Sequence, residues 1–239
     1  MKHMAAWRRQ ALKLIDNLLL NHEVKSSFEV GCDDAGISRK LAEKYPEIFF
    51  EGVDYRKDKI DIANNLKNMS NLKNVNFTYD YFLNIKKIEK QFDIIIFTEV
   101  YEHLVAENQI YALRLLGNLL SNKGFLVFTC PNGDYLFSHF RINKTFEDRY
   151  EKNFFDDMHQ TNHWLEPAHS ELKNIFVSLG FDIKQSGYFN LPKSKIKFIQ
   201  KIELLLNKIP FLRNLLFKNQ FIVATKNPKS PLLQKLDLF

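Results

Sequence analysis

Thr98-Glu99-Val100-Tyr101-Glu102-His103-Leu104 sets two carboxylates and an imidazole within five positions, Glu99 to His103. Such a set can do three kinds of work. An imidazole titrates near neutrality, so His103 can remove a proton from an attacking hydroxyl while Glu102 orients the ring. Glu99, Glu102 and His103 can instead ligate a divalent ion, Mg2+ or Mn2+. Or the same residues simply cap and pack at the entrance to the next helix. A second chemically loaded stretch lies upstream, Phe28-Glu29-Val30-Gly31-Cys32-Asp33-Asp34-Ala35-Gly36, and Asp54 follows 23 positions after Gly31. An apolar run into a small-residue turn, then a helix, then a second apolar run ending on an acid is the layout of a nucleotide-type cofactor site. Glycine lets a ligand approach the backbone. The next helix N-terminus offers free N–H groups, and an acid at 54 can accept both hydroxyls of a ribose.

Regular elements must hold these groups in place. Met4–Leu20 reads as an amphipathic helix. Strands are expected at Ser27–Val30, Phe49–Val53, Val75–Thr78, Phe92–Phe97 and Phe125–Thr129. The intervening helices are Ile37–Tyr45, Lys57–Lys67 and Asn108–Leu120. This alternation predicts a parallel sheet with helices on both faces. A helix at Pro167–Leu179, a strand at Phe181–Tyr188 and a last strand at Gln220–Lys226 complete the pattern. The expected fold is α/β and Rossmann-like: seven strands, mostly parallel, the last antiparallel.

The loop and its sequel resemble the class I S-adenosylmethionine (SAM)-dependent methyltransferases, whose first motif is roughly acid-x-Gly-x-Gly-x-Gly. Here the order is Glu29-Val30-Gly31-Cys32-Asp33-Asp34-Ala35, then Gly36, so Asp33 and Ala35 stand at the second and third glycine positions. Aspartate tolerates left-handed backbone better than most residues. The resemblance implies SAM as cofactor, bound by Glu29, Gly31, Ala35 and Glu99. Asp54 would take the ribose and Tyr55 would lie beside the adenine. Asp80, or else Tyr81, would contact the adenine amino group. Phe92–Phe97 would be the fourth strand and Asn122-Lys123-Gly124-Phe125 the turn before the fifth.

Glu-x-x-Glu-His is also similar to two groups within that family. Ubiquinone-pathway O-methyltransferases carry it with a later histidine, and small-RNA 2′-O-methyltransferases use it with a distant histidine to hold a metal. The second resemblance implies a Glu99, Glu102, His103 and His163 metal set. His159 and His169 read as surface residues.

The 239 residues read as one methyltransferase domain, with the variable parts carrying the acceptor. Those are an N-terminal helix over 1–25, an aromatic cap or substrate region over 131–166 and a basic amphipathic helical insert over 193–218. A loose tail, 227–239, follows. The insert holds seven basic residues against one acid, Glu203, within a chain of formal charge +6. Apolar residues interleave with its charges, which suits peripheral contact with an anionic membrane. Nucleic acid is disfavoured, because no recognised RNA-binding motif accompanies the charges. Two cysteines without a CxxC pattern argue against a disulfide framework. With no signal-like or membrane-spanning run, a cytoplasmic protein is expected, with peripheral contact on the inner membrane face as the further expectation. The acceptor is expected to be small or lipid-linked, such as a quinone precursor or an envelope glycan.

Overall fold

The computed structural model describes residues 4–85, 90–135, 166–189, 205, 209–227 and 230. In chain order the elements are α1 (Ala6–Asn21), β1 (Ser26–Val30), α2 (Ser38–Lys44), β2 (Phe49–Asp54), α3 (Lys57–Met69) and β3 (Val75–Tyr79). They continue with β4 (Phe92–Thr98), α4 (Ala106–Leu119), β5 (Leu120–Pro131), α5 (His169–Ser178), β6 (Phe181–Phe189), α6 (Pro210–Leu216) and β7 (Asn219–Lys226). Single 3-10 turns lie at Phe82–Asn84 and Tyr101–His103.

The seven strands form one sheet in the order β3-β2-β1-β4-β5-β7-β6. β1 to β5 are mutually parallel, and β7 runs antiparallel to both β5 and β6. This is the expected Rossmann-like arrangement. β1 pairs with β2 on one side and β4 on the other, so the chain reverses its direction of sheet growth between β1 and β4. Val30 is in register with Val53 and with Phe97. The residues that follow, Gly31, Asp54 and Thr98–Glu99, therefore emerge together at one edge, where open α/β sheets bind ligands.

The central strands are apolar on both faces, as a sheet covered on both sides requires. One apolar cluster gathers Val30, Phe97, Leu113, Leu116, Phe128 and Phe176; the other gathers Ile15, Ile37, Phe50, Ile94, Ile96 and Val127. α1 belongs to the second cluster through Ala11, Leu14, Ile15, Leu18 and Leu19. Each fully buried Leu or Ile contributes about 1.5–3 kcal/mol, so α1 is docked by its apolar stripe. Its far end is tied to α2, where Lys44 and the Tyr45 hydroxyl donate to Asp16 Oδ1 at 2.5 and 2.6 Å.

Two local expectations are corrected. β5 begins at Leu120, not Phe125, so the Asn122–Phe125 turn lies within the strand. Leu120 pairs with Phe92, the register then shifts, and the Ser121 hydroxyl donates to Asp93 Oδ1 at 3.1 Å. His169 is buried rather than superficial: its Nδ1 lies 2.8 Å from Gln220 Oε1, and its ring packs 4.5 Å from that of Tyr188. The aromatic region over 136–165 and most of 190–208 lie outside the described residues.

Candidate functional site

The turn after β1 is a succession of left-handed residues. Gly31, Asp33 and Ala35 have φ of 67°, 52° and 54°. These are the three positions that carry glycine in the acid-x-Gly-x-Gly-x-Gly pattern, so the backbone shape is kept although two of the side chains differ. Gly31 must lack a side chain for a second reason: a Cβ there would collide with Val100 Cγ2. The turn is anchored to β2, since the Gly31 and Cys32 N–H groups both donate to the Val53 carbonyl at 2.8 and 3.1 Å.

Asp54 is buried at the end of β2. Its Oδ2 accepts the Asp33 N–H at 2.8 Å and its Oδ1 accepts the Arg56 N–H at 2.9 Å. Each carboxylate oxygen keeps a further lone pair, so Asp54 is held in orientation while retaining acceptor capacity. Tyr55, partly exposed, follows it. Across the edge, the Asp80 N–H donates to the Asp54 carbonyl at 3.1 Å. Asp80 is exposed and its Oδ1 accepts the Tyr81 N–H at 2.7 Å; Tyr81 packs edge-on against Phe82. Asp54, Tyr55, Asp80 and Tyr81 are thus neighbours in space as well as in the sequence pattern.

Glu29 is placed beneath the turn rather than on its open side. Its carboxylate is buried and accepts the Ser38 N–H at 3.1 Å and the Ser38 hydroxyl at 2.5 Å. It therefore fastens the start of α2 to β1. Burial pushes its carboxyl up to about 7, against the two Ser38 hydrogen bonds.

The Asp33 carboxylate gathers three cations. Arg8 Nη2 lies 2.7 Å from its Oδ2, while Arg56 Nη2 and Lys59 Nζ lie 2.8 and 2.9 Å from its Oδ1. Burial raises the carboxyl, but the Lys59 hydrogen bond and the Lys59, Arg8 and Arg56 charges outweigh it and lower the pKa below its usual value. Sequence reading did not find these partners. The available signal was an acid at a glycine position, which asks for a counter-charge without saying where it lies.

The segment after β4 is different in character. Glu99 has a left-handed backbone, φ 55°, and its N–H donates to the Thr129 carbonyl at 2.9 Å. The Thr129 hydroxyl donates to Glu99 Oε1 and Asn219 Nδ2 donates to Glu99 Oε2, both at 2.9 Å. Thr129 and Asn219 come from β5 and β7, so these contacts too were invisible in sequence. Glu102 is 1% exposed and its Oε2 has no hydrogen-bond partner among the described residues. Burial first, then the nearby Glu99 charge, raises its carboxyl well above the usual range. The adjacent His103 is exposed on the 3-10 turn, its N–H bonded to the Val100 carbonyl at 3.0 Å. Consecutive residues thus face interior and solvent.

Among the described residues, no three His, Cys, Asp or Glu side chains form a group fit to hold a metal ion. His163, the fourth residue of the suggested metal set, lies outside the described residues.

A family model described as a methyltransferase domain matches residues 21–176, which takes in both the β1 turn and the Glu99–His103 segment. The chain belongs to the methyltransferase-domain family. Its fold agrees with that membership. A SAM-dependent methyltransferase from Archaeoglobus fulgidus is 20% identical, over 92% of this chain and 94% of that one, with a TM-score of 0.61. The plantazolicin methyltransferase BpumL, solved with a triazolic desmethyl analogue and S-adenosylhomocysteine (SAH), is 20% identical over 95% and 87%, with a TM-score of 0.63. A magnesium protoporphyrin IX methyltransferase from Synechocystis, solved with SAH, is 12% identical over 92% and 82%, with a TM-score of 0.61. No curated protein matches the sequence. This methyltransferase shares its fold with those SAM-dependent enzymes; no helix among its described residues is long and apolar enough to cross a membrane.

Proposed function

We propose that this methyltransferase binds SAM over the β1–β2 edge and transfers its methyl group to a hydroxyl oxygen of a small or lipid-linked acceptor. The observation that carries the cofactor reading is the run of left-handed backbone at Gly31, Asp33 and Ala35 directly beside the fixed carboxylate of Asp54. In this reading Asp54 accepts the ribose hydroxyls, Asp80 and the rings of Tyr55 and Tyr81 surround the adenine, and the Gly31–Ala35 backbone passes under the amino-acid end. Glu29 supports the loop from below through Ser38. Two of the neighbours carry SAH, which favours the same cofactor here.

The reaction is an in-line displacement. The acceptor oxygen bonds to the methyl carbon, the carbon–sulfur bond breaks, and its electron pair returns to sulfur, leaving SAH. The protein's task is alignment and removal of one proton. His103 is the group suited to take that proton: it is exposed, and it stands on the turn leaving β4 at the same edge as Gly31. Burial and the nearby Glu99 charge raise the Glu102 carboxyl well above the usual range, which favours its protonated form and disfavours a second base there. Neighbours of this fold are named for acceptors as unlike as plantazolicin and magnesium protoporphyrin IX, so acceptor choice resides outside the shared sheet.

Calorimetric titration with SAH tests the cofactor reading. Micromolar binding that Asp54→Ala weakens at least about 100-fold is expected, since the change removes the paired acceptor and the anchors of Asp33 and Arg56. Absence of heat with the unmutated chain would defeat the reading. For the hydroxyl, labelled SAM and a panel of hydroxylated acceptors should give a product whose formation His103→Ala slows roughly 100-fold. Label found only on nitrogen would overturn the oxygen assignment. Peripheral membrane contact through 193–218 is supported by Leu205, Ile209 and Leu215, large apolar side chains left exposed in that basic segment. Failure to sediment with anionic vesicles at low salt would remove it.

A further inference from the structure

Arg8 stands in α1, before the residues that match the family model, yet its guanidinium reaches the centre of the cofactor loop. Nη2 lies 2.7 Å from Asp33 Oδ2 and 3.0 Å from Asp34 Oδ1. The space it fills depends on Gly36, where a Cβ would come within 3.0 Å of Arg8 Nη1. The side chain is largely buried, 17% exposed. The three cations around Asp33 are not equivalent. Arg56 and Lys59 share Oδ1, whereas Arg8 bonds Oδ2.

We infer that Arg8 is a positioning residue for the cofactor, acting through Asp33. A non-glycine residue in the left-handed region rests in a conformation that L side chains disfavour. Asp33 is held there by charge-assisted hydrogen bonds on both carboxylate oxygens. The consequence passes one bond further, because the Asp33 N–H donates to Asp54 Oδ2 at 2.8 Å. Turning the Asp33 peptide would withdraw that donor and release the carboxylate assigned to the ribose. Arg8 thereby couples the docking of α1 to cofactor affinity. An arrangement with glycine at position 33 would need no such clasp, since glycine enters this region without penalty. The inference rests on the SAM reading of the Asp54 edge.

The test is a double-mutant cycle on the full chain, read by calorimetry with SAH. Arg8→Ala is expected to weaken binding about tenfold, and Arg8→Lys, which keeps the charge without the fork, by less. In an Asp33→Gly background the same Arg8→Ala change should alter affinity less than about twofold. Asp16→Asn, which loosens the far end of α1 away from the loop, should leave affinity within about twofold of the unmutated chain. Equal losses from Arg8→Ala in both backgrounds would overturn the clasp, assigning the effect to α1 docking in general. So would unchanged affinity in Arg8→Ala. No binding by the unmutated chain would instead bring down the cofactor reading itself, and the clasp with it.

Discussion

Asp33 and Glu102 are both carboxylates in turns that leave parallel strands at the same edge of the sheet. Asp33 presents its carboxylate to Arg8, Arg56 and Lys59, and its pKa is lowered. Glu102 is walled in with Tyr101 and Leu104 beside it and the Glu99 and Glu166 charges near it, and its pKa is raised. One region spends its acids on fixing a loop; the other buries a carboxyl shifted toward its protonated form, with one oxygen lacking a partner among the described residues. A buried polar atom without a partner is costly unless it serves something. The contrast teaches that one turn is a frame fixed by ion pairs while the other holds a carboxyl shifted toward its protonated form. The proposed division into cofactor frame and proton-transfer side rests on this difference.

The largest test of this division strikes where the two regions touch, at Gly31 and Val100. Gly31→Ala places a methyl against Val100 in a residue with φ of +67°. Overpacking and left-handed strain together should cost about 3 kcal/mol in chemical denaturation. A cost below about 1 kcal/mol would mean that the loop and the β4 turn adjust independently.

Next in size is the titration of Glu29, a carboxyl beneath the β1 turn with a raised pKa. Its folded value is about 7 against an ordinary 4.5, so the folded protein holds a proton that the unfolded chain has released. The Glu29 contribution to stability is therefore full below about pH 4.5, falls as pH climbs toward 7, and is level above that, a change of at most about 3 kcal/mol. Glu29→Gln should flatten this part of the stability–pH curve. An unaltered slope would put Glu29 with Asp33 among the ionised carboxylates.

Since its surroundings favour the protonated form of Glu102, Glu102→Gln keeps shape and charge, and stability at neutral pH should change by less than about 1 kcal/mol. A loss several times larger would show Glu102 to be ionised and paired, and would erase the contrast with Asp33. The smallest effect is expected from Ala35→Gly. Relief of left-handed strain, about 1 kcal/mol, is offset by loss of a buried methyl and by greater freedom of the unfolded chain, leaving a net change within about 0.5 kcal/mol. A gain above that would show the loop to be strained at Ala35.

Much of the frame is legible from residue order. Strand and helix periodicities place β1 to β4 and the helices between them to within a few residues, because they are set by neighbours along the chain. The left-handed turn was legible for the same reason, at Asp33 as at Gly31. β5 was misjudged at its start, since Leu120 joins the strand by pairing with Phe92 across a register shift. His169 was misjudged because its burial depends on Gln220 and Tyr188, both far along the chain.

The sequence by itself determined the alternation of elements, the bend of the loop after β1 and the acid at the end of β2. These follow from local backbone preference and apolar periodicity, which need no distant partner. Tertiary structure alone decided which way each carboxyl is shifted. The Asp33 carboxyl is lowered because Lys59, Arg8 and Arg56 meet it across the loop, Arg8 from 25 positions away. The Glu102 carboxyl is raised because packing removes it from water beside Glu99. Charge state is a property of surroundings, and folding assembles those surroundings from residues remote in the chain.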